Sequence, residues 1–122
     1  MDLSFYRNKT VLVTGHTGFK GTWMCEVLKR QGAKVIGYAL SAPTEPSLFE
    51  LTNMAEGMVS VTGDIRDLPH LNEVFDAYLP EVVIHMAAQP IVRESYANPV
   101  YTYEANVMGT VNVLECVRTH PN

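Results

Sequence analysis

Cysteine is scarce, with only Cys25 and Cys116 in 122 residues. No Cys-x-x-Cys pair or Cys/His cluster exists, which excludes a disulfide framework and a structural metal site and predicts free thiols in a reducing compartment. No apolar run approaches the ~20 residues of a membrane-spanning helix. The opening Met1 to Lys9 lacks the apolar stretch of a signal peptide, so a cytoplasmic address is expected. An excess of basic charge is missing as well. Nine Lys and Arg face thirteen Asp and Glu, a net charge of −4, and this leaves no electrostatic case for nucleic acid. Eight glycines and seven prolines are too few for a fibrous repeat, and 47% hydrophobic residues are too many for a disordered chain. The length supports one domain with one core.

What is present alternates. Thr10 to Thr14 is a β-branched run stopped by Gly15, the pattern of a buried strand. From Phe19 to Gln31 the apolar Phe19, Trp23, Met24, Val27 and Leu28 recur at helical spacing, with Lys29 and Arg30 in the last turn and Gly32 as the stop. Lys34 to Leu40 predicts a second strand, followed by a turn-rich connector over 41–46. Ser47-Leu48-Phe49-Glu50 fits a capping box and predicts a short helix. Met58 to Thr62 reads as a third strand. Asp67 is placed to cap a helix with Leu68, Leu71, Val74, Phe75 and Tyr78 on one face. Val82 to Met86 reads as a fourth strand, and Asn98-Pro99 as the cap and first turn of a long helix to about Arg118. This order predicts an α/β fold of the Rossmann type: right-handed βαβ units, a parallel sheet ordered 3-2-1-4, and helices on both faces. Four strands are only part of a six-stranded dinucleotide-binding sheet, so the chain reads as the front half of something larger.

The strongest chemical signal is Gly15-His16-Thr17-Gly18-Phe19-Lys20-Gly21, where a strand ends and a helix begins. Gly15 permits a sharp turn, Gly18 lets backbone approach a pyrophosphate, and Gly21 allows helix to lie close on strand. The helix N-terminus then offers free N–H groups and a partial positive charge to the anion. A triphosphate-binding loop is excluded, because Lys20 is followed by Gly21 and no GxxxxGK exists. The end of the second strand normally carries an acid for the ribose 2′-hydroxyl of NAD, yet Tyr38-Ala39-Leu40-Ser41 has none before Glu45. No Arg or Lys for a 2′-phosphate appears there either. NAD is therefore the expected cofactor, with a hydroxyl from Ser41 or Thr44 serving the ribose.

The GxxGxxG spacing is similar to that of the extended short-chain dehydrogenase/reductase superfamily. Gly63 to Asp67, His85 to Gln89, and Asn106-Val107-Met108-Gly109-Thr110 resemble its further landmarks. The pieces Thr17-Gly18-Phe19-Lys20-Gly21, Pro43 to Glu50 and Ala87 to Arg93 narrow the resemblance to the CDP-glucose 4,6-dehydratase family. The resemblance implies that Asp64 and Ile65 contact the adenine, and that Ala87, Ala88 and Gln89 pass under the cofactor. Asn106 belongs to the same cofactor-binding set. It further implies a nucleotide-sugar substrate, CDP-glucose, which is oxidised at C4, loses water across C5–C6, and receives the hydride back at C6. The family's Tyr-x-x-x-Lys pair is absent: Tyr6, Tyr38, Tyr78, Tyr96, Tyr101 and Tyr103 all lack Lys at the fourth following position. The chain is thus expected to be the N-terminal, cofactor-binding part (1–122) of the enzyme and inactive alone.

Other residues leave two readings each. His16 either contacts the cofactor or faces solvent, and Lys20 either reaches the phosphates or points to water. Arg93 either meets a substrate phosphate or forms a structural salt bridge. His85 reads as a hydrogen-bonded core histidine, and His70 and His120 as surface residues. In the long helix Val100, Tyr103, Val107, Val111 and Leu114 form one stripe, with Ala105, Met108 and Cys116 off it. One face covers the sheet. The other makes a homodimer interface, as the superfamily implies, or lies under further chain. Two classes of function stand: the cofactor-binding half of a dehydratase (or of a related epimerase), and a non-catalytic dinucleotide-binding module.

Overall fold

A computed structural model describes residues 1–121. Its sheet has four parallel strands, β1 (Thr10–Thr14), β2 (Lys34–Ala39), β3 (Val59–Thr62) and β4 (Val82–His85), in the order β3-β2-β1-β4. In β1, Leu12 pairs with Ile36 on one side and with Val83 on the other. Both the order and the parallel sense are those the sequence predicts. Strand ends differ by one residue: Leu40, Met58 and Met86 fall outside the ladders.

Alternation along β1 distributes the core. Val11 and Val13 point to the face covered by α1 (Phe19–Arg30) and α2 (Leu48–Leu51), where they join Cys25, Leu28, Val35 and Met54. Leu12 points the other way, to Ile36, Tyr38, Ile65, Leu71, Phe75, Val113 and Cys116, under α3 (Leu68–Tyr78) and the last helix. All three β1 side chains are fully buried, as a strand covered on both faces requires. Three helix ends have a clear chemical cause. Ser47 Oγ accepts from the Glu50 N–H at 3.2 Å to open α2, and Asp67 Oδ1 accepts from the His70 N–H at 3.1 Å to open α3. Gly32, at φ +81°, closes the turn after α1.

Several expectations are corrected. A short helix, α4 (Val92–Ala97), precedes the long one, and Asn98 does not cap the latter: its side-chain amide donates to Glu94 instead. The long helix is α5 (Pro99–Tyr103) and α6 (Gly109–Thr119), joined by one π-helical stretch over Glu104–Met108. The face that covers the sheet carries Ala105, Gly109, Asn112, Val113 and Cys116, while the Val100-Tyr103-Val107-Val111-Leu114 stripe lies exposed. Likewise α1 buries Thr22, Cys25 and Leu28 and turns Phe19, Trp23 and Val27 outward. His120 is not a surface residue. Its ring donates to Asp76 Oδ1 at 2.6 Å and to the Cys116 carbonyl at 2.8 Å, and so ties α6 to α3. His70 is half-buried with its ring edge-on to Tyr38. Among the described residues no helix is long and apolar enough to cross a membrane.

Candidate functional site

The loops after β1, β2, β3 and β4 gather at the carboxyl ends of the strands, the place where open α/β sheets bind ligands. The three glycines of the first loop divide their work. Gly15, at φ +77°, donates its N–H to the Tyr38 carbonyl at 2.9 Å, and a Cβ there would lie 2.8 Å from the Ala87 nitrogen. A Cβ on Gly21 would sit 2.0 Å from the Gly15 carbonyl oxygen. Gly18 differs. Its Cβ would meet only the Gly15 oxygen, at 3.5 Å, and its φ of −77° is open to any residue. Space is therefore kept clear in front of the middle glycine alone. Gly18 is also the N-cap of α1, without a side-chain cap or an acid in the first turn. The N–H groups of Phe19, Lys20 and Gly21 have no acceptor among the described residues. A diphosphate fits this cradle by shape and by charge.

Behind the loop lies His16. Its ring is wholly buried, with Nε2 2.7 Å from Ser60 Oγ and its plane edge-on to Phe49. Gly37 makes the room, since a Cβ there would be 2.3 Å from the imidazole. Burial alone holds its pKa down at about 4, so the ring is neutral, and Nδ1 has no hydrogen-bond partner among the described residues. The solvent-facing expectation for the His16 side chain does not survive, because the ring is wholly buried. Phe19 and Lys20 are exposed at the start of α1. At the end of β2, Thr17 Oγ1 donates to the Leu40 carbonyl at 2.8 Å, and Thr44 Oγ1 is engaged by the Pro46 carbonyl. Of the two ribose candidates, Ser41 keeps an exposed hydroxyl without a partner among the described residues.

After β3, Tyr38 Oη donates to the Asp64 carbonyl at 2.7 Å and fixes the backbone of that turn. The Asp64 carboxylate receives the Arg66 side chain at both oxygens, with Nη2 at 2.8 Å, and this hydrogen bonding holds its pKa below the usual range. The Ile65 side chain points into the core against Gly109, so the expected contact with a base is left to its backbone at most.

The fourth loop, Ala87 to Gln89, is held by a chain of hydrogen bonds. Thr14 Oγ1 accepts the Met86 and Ala87 N–H groups at 3.0 and 3.1 Å, so its own proton goes to His85 Nδ1 at 2.7 Å. That assigns the His85 proton to Nε2, which donates to Thr110 Oγ1 at 3.2 Å, and Thr110 donates to the Asn106 carbonyl. Burial lowers the His85 pKa and favours this neutral tautomer. Asn106, in the π-helical stretch, takes the Gln89 N–H at 2.7 Å and returns a bond to the Gln89 carbonyl at 3.0 Å. Its side chain is committed to holding the loop. Arg93, exposed on α4, makes no ion pair with the described residues, so the salt-bridge reading finds no partner. Sequence reasoning missed Thr14 and Arg66. Thr14 reads as one more β-branched strand residue, and Arg66 as one more surface charge.

Residues 12–122 match the GDP-mannose 4,6 dehydratase family. CDP-glucose 4,6-dehydratase of Salmonella typhimurium is 53% identical over 97% of this chain and 33% of its own length. UDP-glucose 4-epimerase from Brucella ovis, solved in complex with NAD, superposes with a TM-score of 0.76 at 32% identity, over 92% of this chain and 33% of that one. UDP-glucose 4-epimerase from Thermotoga maritima, solved with UDP-glucose, gives 0.81 at 28% identity, over 91% and 34%. The chain spans about a third of the length of the curated relatives it matches.

Proposed function

The chain belongs to the GDP-mannose 4,6 dehydratase family, and from that premise we propose that it is the NAD-binding part of a nucleotide-sugar 4,6-dehydratase acting on CDP-glucose. The observation that carries this reading is the clear space in front of Gly18 between two glycines whose Cβ positions are blocked by backbone. The 53% identity to a CDP-glucose dehydratase supports the choice of sugar nucleotide. The Pro43 to Glu50 connector favours that choice over an epimerase.

When bound, NAD would supply an acceptor for the hydride at the sugar's C4 and a donor for C6, so that the net reaction is loss of water. The residues of this chain bind and orient. The N–H groups at the start of α1 receive the pyrophosphate, with Gly15 and Gly21 holding them in place and Lys20 beside them. Ser41 serves a ribose hydroxyl, Asp64 the base, and Ala87 to Gln89 the other ribose, with Asn106 and Thr14 fixing that last loop. Proton transfer at C4 falls to a Tyr-x-x-x-Lys pair in further sequence, in keeping with relatives about three times as long. Arg93 faces the substrate phosphates. The exposed stripe on α5 and α6 forms a homodimer interface. Two buried, unpaired thiols, Cys25 and Cys116, suit a reducing cytoplasm.

The experiment is Gly18→Val in the native protein. Backbone conformation permits the change, so thermal unfolding should stay near that of the parent. Calorimetry should show NAD affinity lowered by roughly tenfold or more, as bulk enters the phosphate cradle. Unaltered affinity would overturn the placement. Conversion of CDP-glucose to its 4-keto-6-deoxy product tests the reaction itself, and inversion of a sugar carbon without loss of water would assign the chain to the epimerases.

A further inference from the structure

His85 ends β4 with both ring nitrogens engaged, and each bond is assigned from its far end. On one side Thr110 Oγ1 spends its proton on the Asn106 carbonyl at 2.7 Å, so toward His85 Nε2, 3.2 Å away, it can only accept. On the other side the Met86 and Ala87 N–H groups, at 3.0 and 3.1 Å, occupy both acceptor directions of Thr14 Oγ1. Its proton is left for His85 Nδ1 at 2.7 Å. Both ends thus demand one tautomer, with the proton on Nε2 and Nδ1 bare.

The two amides held by Thr14 do not depend on it equally. The Met86 N–H is shared with the Thr14 carbonyl at 3.2 Å, whereas the Ala87 N–H has the hydroxyl alone among the described residues. Thr14 is fully buried, so its proton has no bulk water to turn to. A hydroxyl that loses Nδ1 must rotate toward another acceptor, and its lone pairs rotate with it, away from Ala87. The pyrophosphate cradle draws on none of these bonds. Gly15 donates its N–H to the Tyr38 carbonyl at 2.9 Å, and the Thr22 hydroxyl proton is shared between the Gly18 and His16 carbonyls at 2.7 and 3.0 Å.

We infer that His85 is a positioning residue for the Ala87 to Gln89 loop: its bare Nδ1 holds the Thr14 hydroxyl in the rotation that fixes the Ala87 N–H, and so serves the nicotinamide half of a dinucleotide without acting on the pyrophosphate cradle. The inference rests on the dinucleotide reading above and deepens it.

The test is calorimetry of the native protein, His85→Asn and His85→Leu with NAD and with ADP, which carries the diphosphate and the base but not the nicotinamide half. Asparagine offers an oxygen acceptor near the Nδ1 position, and leucine fills the space without one. His85→Leu should lower NAD affinity by about tenfold, the scale of one lost hydrogen bond, and leave ADP affinity within about twofold of native. His85→Asn should bring NAD affinity back to within about threefold of native. Heteronuclear NMR of the imidazole nitrogens in native protein, which needs no variant, should show a protonated Nε2 and an unprotonated Nδ1. A proton on Nδ1, native NAD affinity in His85→Leu, equal loss of NAD and ADP in that variant, or no rescue by asparagine overturns the inference and leaves the dinucleotide reading standing. Native protein that binds no NAD overturns both.

Discussion

The two loops that meet over the ends of β1 and β4 are fastened by opposite means. The glycine loop is held by the lack of side chains. Backbone touches backbone at Gly15 and Ala87, and again at Gly21 and Gly15, with distances that leave no room for a methyl group. The Ala87 to Gln89 loop is held by polar side chains, through Thr14, His85, Thr110 and Asn106 in one directed series of donors. Each has a neutral histidine behind it. His16 is kept neutral by burial with one nitrogen bonded, and His85 sits in a chain that requires Nδ1 to accept. Contact of the first kind tolerates no added atom. Contact of the second kind tolerates size but depends on which group carries the proton.

The sharpest way to break the comparison is Gly21→Ala. The new methyl would meet a carbonyl oxygen that cannot withdraw, so a loss of roughly 3 kcal/mol or more is expected. Chemical denaturation checks this, and a variant as stable as the parent would refute the account of the glycine loop.

Acid comes next. The folded pKa of His16, about 4, lies below its unfolded value of about 6.5. The unfolded state thus binds more protons between these values. Stability from this group is fully present above pH 6.5 and is lost as pH falls toward 4, by up to about 3 kcal/mol. His85 acts in the same direction. His120 acts in the opposite one, because hydrogen bonding to Asp76, and then to the Cys116 carbonyl, raises its pKa. Its contribution is complete below the unfolded value and fades as pH rises through the folded one. Urea titrations at stepped pH should show a shallower acid loss in His16→Gln than in the parent, and parallel curves would rule out His16 as the source.

The smallest effect is expected on the polar side. Asn106→Leu removes both bonds to Gln89 and should cost about 2 kcal/mol. It should also weaken NAD binding without touching the glycine loop. Native affinity in this variant would mean that the Ala87 to Gln89 loop needs no fastening.

Much of this division was legible in the sequence, and the reasons for the rest are specific. Strand order follows from the alternation of apolar runs with capped helices, and Ser47 and Asp67 act where their spacing put them. The direction of His16 was not legible, because it depends on Gly37 and Ser60 in two other strands. Periodicity reported that α1 and the long helix have apolar stripes, but not that Phe19-Trp23-Val27 and Val100 to Leu114 are the uncovered ones. A residue such as Thr22 or Asn112, polar yet buried by a good partner, outcompeted larger apolar neighbours for the sheet. The π-helical stretch leaves no mark in composition. It coincides with the position from which Asn106 reaches Gln89.

The Thr14 hydroxyl joins residues 71 to 73 positions apart. Pairing of β1 with β2 closes a far shorter length of chain, at an entropic advantage of roughly 1 kcal/mol. That difference orders events in time. On this ground the β1-β2-β3 ladder is expected to assemble from near neighbours before β4 joins and brings Ala87 against Gly15. Contact between Ala87 and Gly15 needs β4 in its place beside β1, so the proposed dinucleotide, spanning Gly18 and Ala87, would engage only a sheet whose order is already correct.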